Sequence, residues 1–318
     1  MVKEMNMILE NAALRLEFDR EEGGLVAVAN KLTGETYAVT RDSDDRARGS
    51  KERSRLNKKD NKPMTPLIVL AGQSNAQGWM GDGRILRREP VDDRILFRWI
   101  ILGRNNMLSG ESQHGRGWET LGVQNGICGY GNPALHYGPE IQMARTLAKG
   151  GERMAVVKAT IGASSLYGDW RLPGQGGLTD AMLSEVEDAR RDLRAGGRNA
   201  RVRGLLWIQG ESDADTDEHA QGYGGLLAEL IAKLRQQWKE PGLPVVLGMD
   251  EQHPGPAARP RVVEAQRAIA GADPMVAWTS MRGLEKADES HLANAGLMKH
   301  GERLAGALSR LWEKEEPT

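Results

Sequence analysis

Cysteine is nearly missing from this chain: of 318 residues only Cys128 is one. That excludes an intramolecular disulfide and any zinc site built from several cysteines. An excess of charge of either sign is missing too. The formal net charge is −1, so no bulk field draws the chain to nucleic acid or to an anionic membrane. No apolar run approaches the roughly 20 residues that a membrane-spanning helix needs. The start, Met1-Val2-Lys3-Glu4-Met5-Asn6-Met7, lacks the apolar core of a signal peptide. As written, the chain reads as cytoplasmic, or as secreted if a leader was removed. What is present is an ordinary globular composition, 39% hydrophobic and 27% charged. The length suits one large domain or two modest ones. No internal repeat is visible.

Residues 8 to 40 alternate in places. Leu14, Leu16 and Phe18 share one face, and turns follow at Glu21-Glu22-Gly23-Gly24 and Asn30-Lys31-Leu32-Thr33-Gly34. The pattern predicts a meander of two or three strands over residues 1–40. It resembles the opening strands of β-sandwich domains that precede some polysaccharide-active enzymes; an added hairpin lying on the main domain is the other reading. Residues 41 to 62 are a charge run, with fourteen of 22 being Asp, Glu, Lys or Arg. Such a stretch cannot bury enough surface to offset its ordering entropy. It reads as a solvated linker over 41–63, leaving 64–318 as the main domain.

From Thr65 the pattern changes to apolar runs alternating with amphipathic segments. Strands are expected at 67–71, 94–99, 153–159, 202–208, 244–249 and 275–279. Helices are expected at 138–149, 178–195, 219–239, 260–271 and 293–313. This alternation predicts a three-layer α/β/α domain with a parallel sheet. Residues 100 to 138 break the rhythm with nine glycines, and a loop this long inside a domain is usually functional.

The stretch Leu67-Ile68-Val69-Leu70-Ala71-Gly72-Gln73-Ser74-Asn75 organises the domain. An apolar strand breaks at Gly72 and presents Ser74 at its carboxyl end, where open α/β sheets bind ligands. A serine nucleophile needs a base. Histidine titrates in the right range, and there are six: His114, His136, His219, His253, His291 and His300. His291 stands out. It follows the last expected strand in Asp288-Glu289-Ser290-His291, a spacing that lets one loop carry both an imidazole and the acid that orients it. Read alone, that loop is better explained as a polar surface turn with Asp288 or Ser290 capping the next helix; it is the match in chain order with the Ser74 block that favours a catalytic pair.

Gly72-Gln73-Ser74-Asn75 and Asp288-x-x-His291 resemble, in the right chain order, the first and last blocks of the SGNH hydrolases. Two further blocks fit. Lys158-Ala159-Thr160-Ile161-Gly162-Ala163-Ser164-Ser165-Leu166 resembles the family's Gly-Gly-Thr-Ser-Leu segment, varied at Ile161-Gly162-Ala163. Trp207-Ile208-Gln209-Gly210-Glu211-Ser212-Asp213 resembles the Gln-Gly-Glu-x-Asp motif of the sialate O-acetylesterase and acetylxylan esterase group, carbohydrate esterase family 6. The resemblance covers roughly residues 65 to 310. It implies a flavodoxin-like strand order and a serine esterase with Ser74 as nucleophile and His291 as base. It also implies an oxyanion hole from the Ser74 amide, the Gly162 amide and the Gln209 side chain. Asp288 is the main candidate for the acid, with Glu211 as a supporting group or rival.

Tyr137-Gly138-Pro139-Glu140 also resembles a family motif and suggests Tyr137 and Glu140 near the substrate; plain helix initiation explains it as well. Asn75 is a further substrate-side candidate. Among Trp79, Trp118, Tyr130, Tyr167 and Trp170, all in expected loops, Trp170 is the best candidate to wall a sugar cleft, though aromatic residues also fill cores. Asp213, Asp215, Asp217 and His219 are closely spaced, but a solvated acidic helix start accounts for them better than a cation site. No metal or cofactor is expected. The expected activity is removal of O-acetyl groups from a carbohydrate such as acetylxylan. The alternatives are a sialate O-acetylesterase, a lipase or thioesterase of the same superfamily, and a non-catalytic carbohydrate-binding module. No nucleic-acid or membrane partner is expected, and the oligomeric state is open.

Overall fold

A computed structural model describes residues 63–103, 111–126, 134–151 and 153–315, together with the strand backbones at 7–10, 14–18, 25–30 and 36–38. The chain divides into two compact units, Met1–Asn61 and Lys62–Thr318. The expected linker at 41–62, Cys128 and Tyr130 lie outside the described residues.

The first unit holds a four-stranded antiparallel sheet: β1 (Met7–Glu10), β2 (Leu14–Phe18), β3 (Leu25–Asn30) and β4 (Thr36–Ala38), paired in chain order. Two or three strands were expected. The fourth is only three residues long, too short to show as an alternating run.

The second unit is built on β5 (Met64–Gly72), β6 (Ile95–Ile101), β9 (Met154–Thr160), β10 (Asn199–Ile208), β11 (Val245–Met249) and β12 (Val276–Ser280), all parallel. Leu67 through Ala71 are wholly buried, as an uninterrupted apolar run requires of a strand covered on both faces. Helices cover both faces of the sheet. The helix Leu178–Ala195 buries Leu178, Met182, Val186, Ala189 and Leu193, one stripe at helical spacing. The helix Asn294–Glu315 packs on the helix Glu140–Leu147 and against β11 and β12.

The strand order is β12-β11-β10-β5-β9-β6-β7, where β7 is Gln113–His114. Without β6, the five parallel strands read 2-1-3-4-5, the flavodoxin-like order. β6 is an insertion between β5 and β9 in sequence that docks outside β9. The expected loop at 100–138 is partly strand: β7 and β8 (Glu119–Thr120) each pair antiparallel with β6 and extend this edge. Their two-residue length hid them in the glycine-rich sequence.

Candidate active site

In the 2-1-3-4-5 order the crevice opens between the first and third strands, here β5 and β10. At that point β5 ends on Gly72, whose φ is +143°. A Cβ there would lie 1.9 Å from the Ile208 carbonyl oxygen of β10, so only glycine lets the two strand ends approach. The chain then turns at once into the short helix Ser74–Gln77. Ser74 sits in its first turn, and no described acceptor takes its backbone N–H.

Ser74 lines a cavity of about 290 Å³ with Gln73, Trp79, Ala163, Glu211, Ser212, Asp215, His253, Ser290 and His291. These residues come from the carboxyl ends of β5, β9, β10 and β11 and from the loop before the last helix. That loop is closed by a bridge between Lys286 and Leu292 and by the Ala287 amide donating to the His291 carbonyl at 2.9 Å. The closure folds Asp288 under His291. The Asp288 carboxylate meets imidazole Nδ1 at 2.9 and 3.1 Å, and its Oδ1 also accepts from the amides of Ser290 and His291. Partial burial acts to raise the Asp288 carboxyl, but the bonds from His291 and Ser290 outweigh it and hold the group below the usual range. Trp79 stacks on the His291 ring, with centroids 5.8 Å apart and planes at 19°.

Glu211 is buried in the same cavity wall. Burial first, then the neighbouring Asp250, push its carboxyl up to about 7, against the opposing pull of Asn75 and Lys286. Lys286 pairs with Asp250 at 2.8 Å. The described contacts therefore give His291 the carboxylate of Asp288, while Glu211 faces Asn75 and Asp250.

Several expected roles do not fit. Gln209 does not present a free amide: its Nε2 donates to Asp213 Oδ2 at 2.6 Å and to the Ser164 carbonyl at 3.0 Å. Buried Asp213 draws the amide inward, also accepting from the amides of Leu166 and Tyr167. Asp213 is thus a brace between two blocks rather than part of a solvated acidic helix start. Gly162 lies beside Ser74, a Cβ on it falling 3.7 Å from Ser74 Cβ, but its amide donates to Gln77 Oε1 at 3.2 Å. A Cβ there would lie 2.7 Å from the Trp79 ring, so any larger residue would displace that side chain. Trp170 does not wall the cleft. It is fully buried, edge-on to Trp207 at 4.8 Å, and donates from Nε1 to Ser164 Oγ at 2.9 Å.

Tyr137 and Glu140 are also interior. Burial, reinforced by Glu140, raises the Tyr137 hydroxyl to about 12. Glu140 accepts from the Gly138 amide and pairs with wholly buried Lys158 at 2.8 Å. Lys158 in turn donates to the Gln77 carbonyl at 2.9 Å, so this pair props the serine turn from below. Asn75 does not face the cavity. Its Oδ1 accepts from the Leu292 amide and its Nδ2 donates to the Ser290 carbonyl, both at 3.0 Å.

Residues singled out too weakly by sequence are Trp79, His253, Asp215 and Gln73. His253 accepts on Nδ1 from the Gly255 amide; burial, the largest influence, holds its imidazole below the ordinary range. Its place four residues after β11 was the available signal. No group of His, Cys, Asp or Glu among the described residues could hold a metal ion.

Residues 64–310 match the family model for carbohydrate esterases described as sialic acid-specific acetylesterases. A probable carbohydrate esterase of Arabidopsis thaliana is 25% identical over 261 residues, covering 77% of this chain and 90% of that one. The solved structure of that Arabidopsis protein superposes with a TM-score of 0.55 at 22% identity, over 78% of this chain and 98% of that one. The structure of NanS gives 0.55 at 16% identity, over 80% and 99%. A carbohydrate acetylesterase from Xanthomonas citri gives 0.50 at 18% identity, over 78% of this chain and 57% of that one. At these identities the structural likenesses carry the fold, and the family match carries the activity: the chain belongs to the sialic acid-specific acetylesterase family of carbohydrate esterases and is a carbohydrate acetylesterase.

Proposed function

We propose that the protein is a serine esterase that removes O-acetyl groups from a neutral sugar, of the kind found in acetylxylan, through an acetyl-enzyme. The observation that carries the reading is the single cavity shared by Ser74 and by His291 with Asp288 behind it. Asp288 accepts a hydrogen bond from Nδ1–H and keeps the proton on that nitrogen, so Nε2 is the free base of the ring. Ser74 Oγ attacks the acetyl carbonyl carbon as its proton passes to His291. The Ser74 amide donates to the oxygen that becomes negative. The carbonyl re-forms, the bond to the sugar oxygen breaks, and His291 returns the proton to that oxygen. Water then attacks acetyl-Ser74, giving its proton to His291, and acetate leaves as Ser74 regains a proton.

The sugar class follows from charge. Among the described residues the cavity is lined by Glu211, Asp215, His253 and His291 with no lysine or arginine. A sialic acid brings a carboxylate, which such a lining does not compensate. An uncharged acetylated sugar meets no such cost. The test is acetate release from acetylated xylan, acetylated manno-oligosaccharide and O-acetyl sialic acid at equal acetyl concentration. The proposal expects the neutral substrates to be turned over at least about tenfold faster, a gap of about 1.4 kcal/mol. Faster release from O-acetyl sialic acid would overturn the neutral-sugar assignment.

A further inference from the structure

We propose that His253 and Asp215 form a subsite for the sugar ring: the imidazole Nε2–H donates to one ring hydroxyl, and the Asp215 carboxylate accepts from the next. The inference rests on the serine-esterase reading above and adds to it the groups that select a sugar over other acetyl esters. Both residues line the cavity that holds Ser74.

His253 lies four residues past β11 and opens the short helix Pro254–Ala258. The Gly255 amide donates to its Nδ1 at 3.2 Å. That nitrogen therefore presents its lone pair, and the neutral ring carries its proton on Nε2. Burial, which penalises the charged ring, favours this neutral form. Capping the helix occupies Nδ1 alone. Nε2 has no partner among the described residues and is not sealed from solvent, so its N–H is open to a ligand oxygen.

Asp215 lies beyond β10, in a run of three acids at alternate positions. The other two are committed. Asp213 accepts from the Leu166 and Tyr167 amides and from Gln209, and Asp217 pairs with Arg259 at 2.8 Å. Asp215 is exposed, and its carboxylate meets no donor and no cation among the described residues. The two loops are fastened to each other. Arg259 bonds Asp217 through Nε and donates from Nη1 to the Ala214 carbonyl at 3.1 Å. The chain at Gly255 lies against the Glu211 carbonyl, where a Cβ would come within 3.0 Å of the oxygen. Donor and acceptor are thus held before a substrate enters, which spares the cost of ordering them. A hydroxyl both gives and accepts a hydrogen bond, so this pair suits two adjacent hydroxyls.

The test uses His253→Ser and Asp215→Ala in the full chain. Serine keeps an oxygen that can cap the Gly255 amide but withdraws the donor from the cavity. Each variant is read on two esters: the 2-acetate of methyl β-xylopyranoside, whose other two hydroxyls are adjacent, and 4-nitrophenyl acetate, which has none. The ratio of kcat/KM, sugar ester over aryl ester, should fall at least about tenfold in each variant. A ratio within about threefold of the parent in either folded variant overturns the subsite, as does an equal loss on both esters, which a merely structural role would give. A second measurement needs no variant. With the parent, replacing both free hydroxyls of the xyloside by hydrogen should lower kcat/KM at least about tenfold, and a loss under about threefold overturns the subsite. Labelling of Ser74 by a fluorophosphonate separates the two readings. A labelled, active enzyme with an unmoved ratio defeats the subsite alone, whereas no labelling of Ser74 defeats the serine reading and this inference with it.

Discussion

Asn75 grips the chain on both sides of His291. It follows Ser74 directly, accepts from the amide after the histidine and donates to the carbonyl before it, each at 3.0 Å. The Ser74 turn and the His291 loop, more than 200 residues apart in sequence, are thereby tied through one buried amide.

Removing that tie should separate the two halves of the proposed machinery. Asn75→Ala leaves a buried N–H and a carbonyl without partners, at about 1–3 kcal/mol each. Stability should fall by about 2–4 kcal/mol in denaturant unfolding, and kcat on an acetyl ester by tenfold or more. Intact kcat in a destabilised variant would show that the His291 loop holds its position by other means.

The two candidate acids are separable by substitution. Asp288→Asn removes the group that meets Nδ1 and should cost on the order of 10⁴ in kcat by imposing the wrong tautomer. Glu211→Gln should cost far less, since no described contact joins Glu211 to His291. A large loss with Glu211→Gln and a small one with Asp288→Asn would make Glu211 the acid. If both serve the histidine, the double variant should lose less than the product of the two.

Glu211 should also set a pH dependence of stability. Its carboxyl rises from an ordinary 4.5 to about 7 in the folded protein. Below the unfolded value both states hold the proton, and there is no effect. Between the two values the unfolded chain loses its proton while the folded one keeps it, so stability falls as pH rises. Above about 7 the cost levels at about 3 kcal/mol. Glu211→Gln removes that cost. Its stability relative to the parent should climb across this window and be flat outside it, in unfolding curves taken from pH 4 to 8. Parallel curves would contradict the buried, proton-holding Glu211.

Trp170 supplies a stability prediction rather than a binding one. Trp170→Ala empties a buried site beside Trp207 and should cost about 3–5 kcal/mol. A folded variant with a raised KM and unchanged stability would return Trp170 to the cleft wall.

What the sequence made legible follows from what each signal measures. The run Leu67–Ala71 could be read as a central strand because burial on both faces leaves no polar alternation. Asp288 and His291 could be paired because three residues in a tight loop leave little freedom. The direction of the Gln209 amide was not legible: it depends on Asp213, four residues on, turning inward to bind the 166–167 amides. Trp170 follows a glycine and an aspartate, a context that looks the same whether the ring faces a cleft or a core. The outer place of β6 depends on pairings between distant segments, which local periodicity does not carry.

The central claim is that Ser74 is the group acylated by the substrate, and rapid quenching with an acetyl ester tests it most directly. In the parent, peptide mass spectrometry should find an acetyl group on Ser74, and Ser74→Ala should lose both the adduct and at least about 10³ of kcat while remaining folded. Acetylation at another residue, or a Ser74→Ala variant within tenfold of parent activity, would contradict the account.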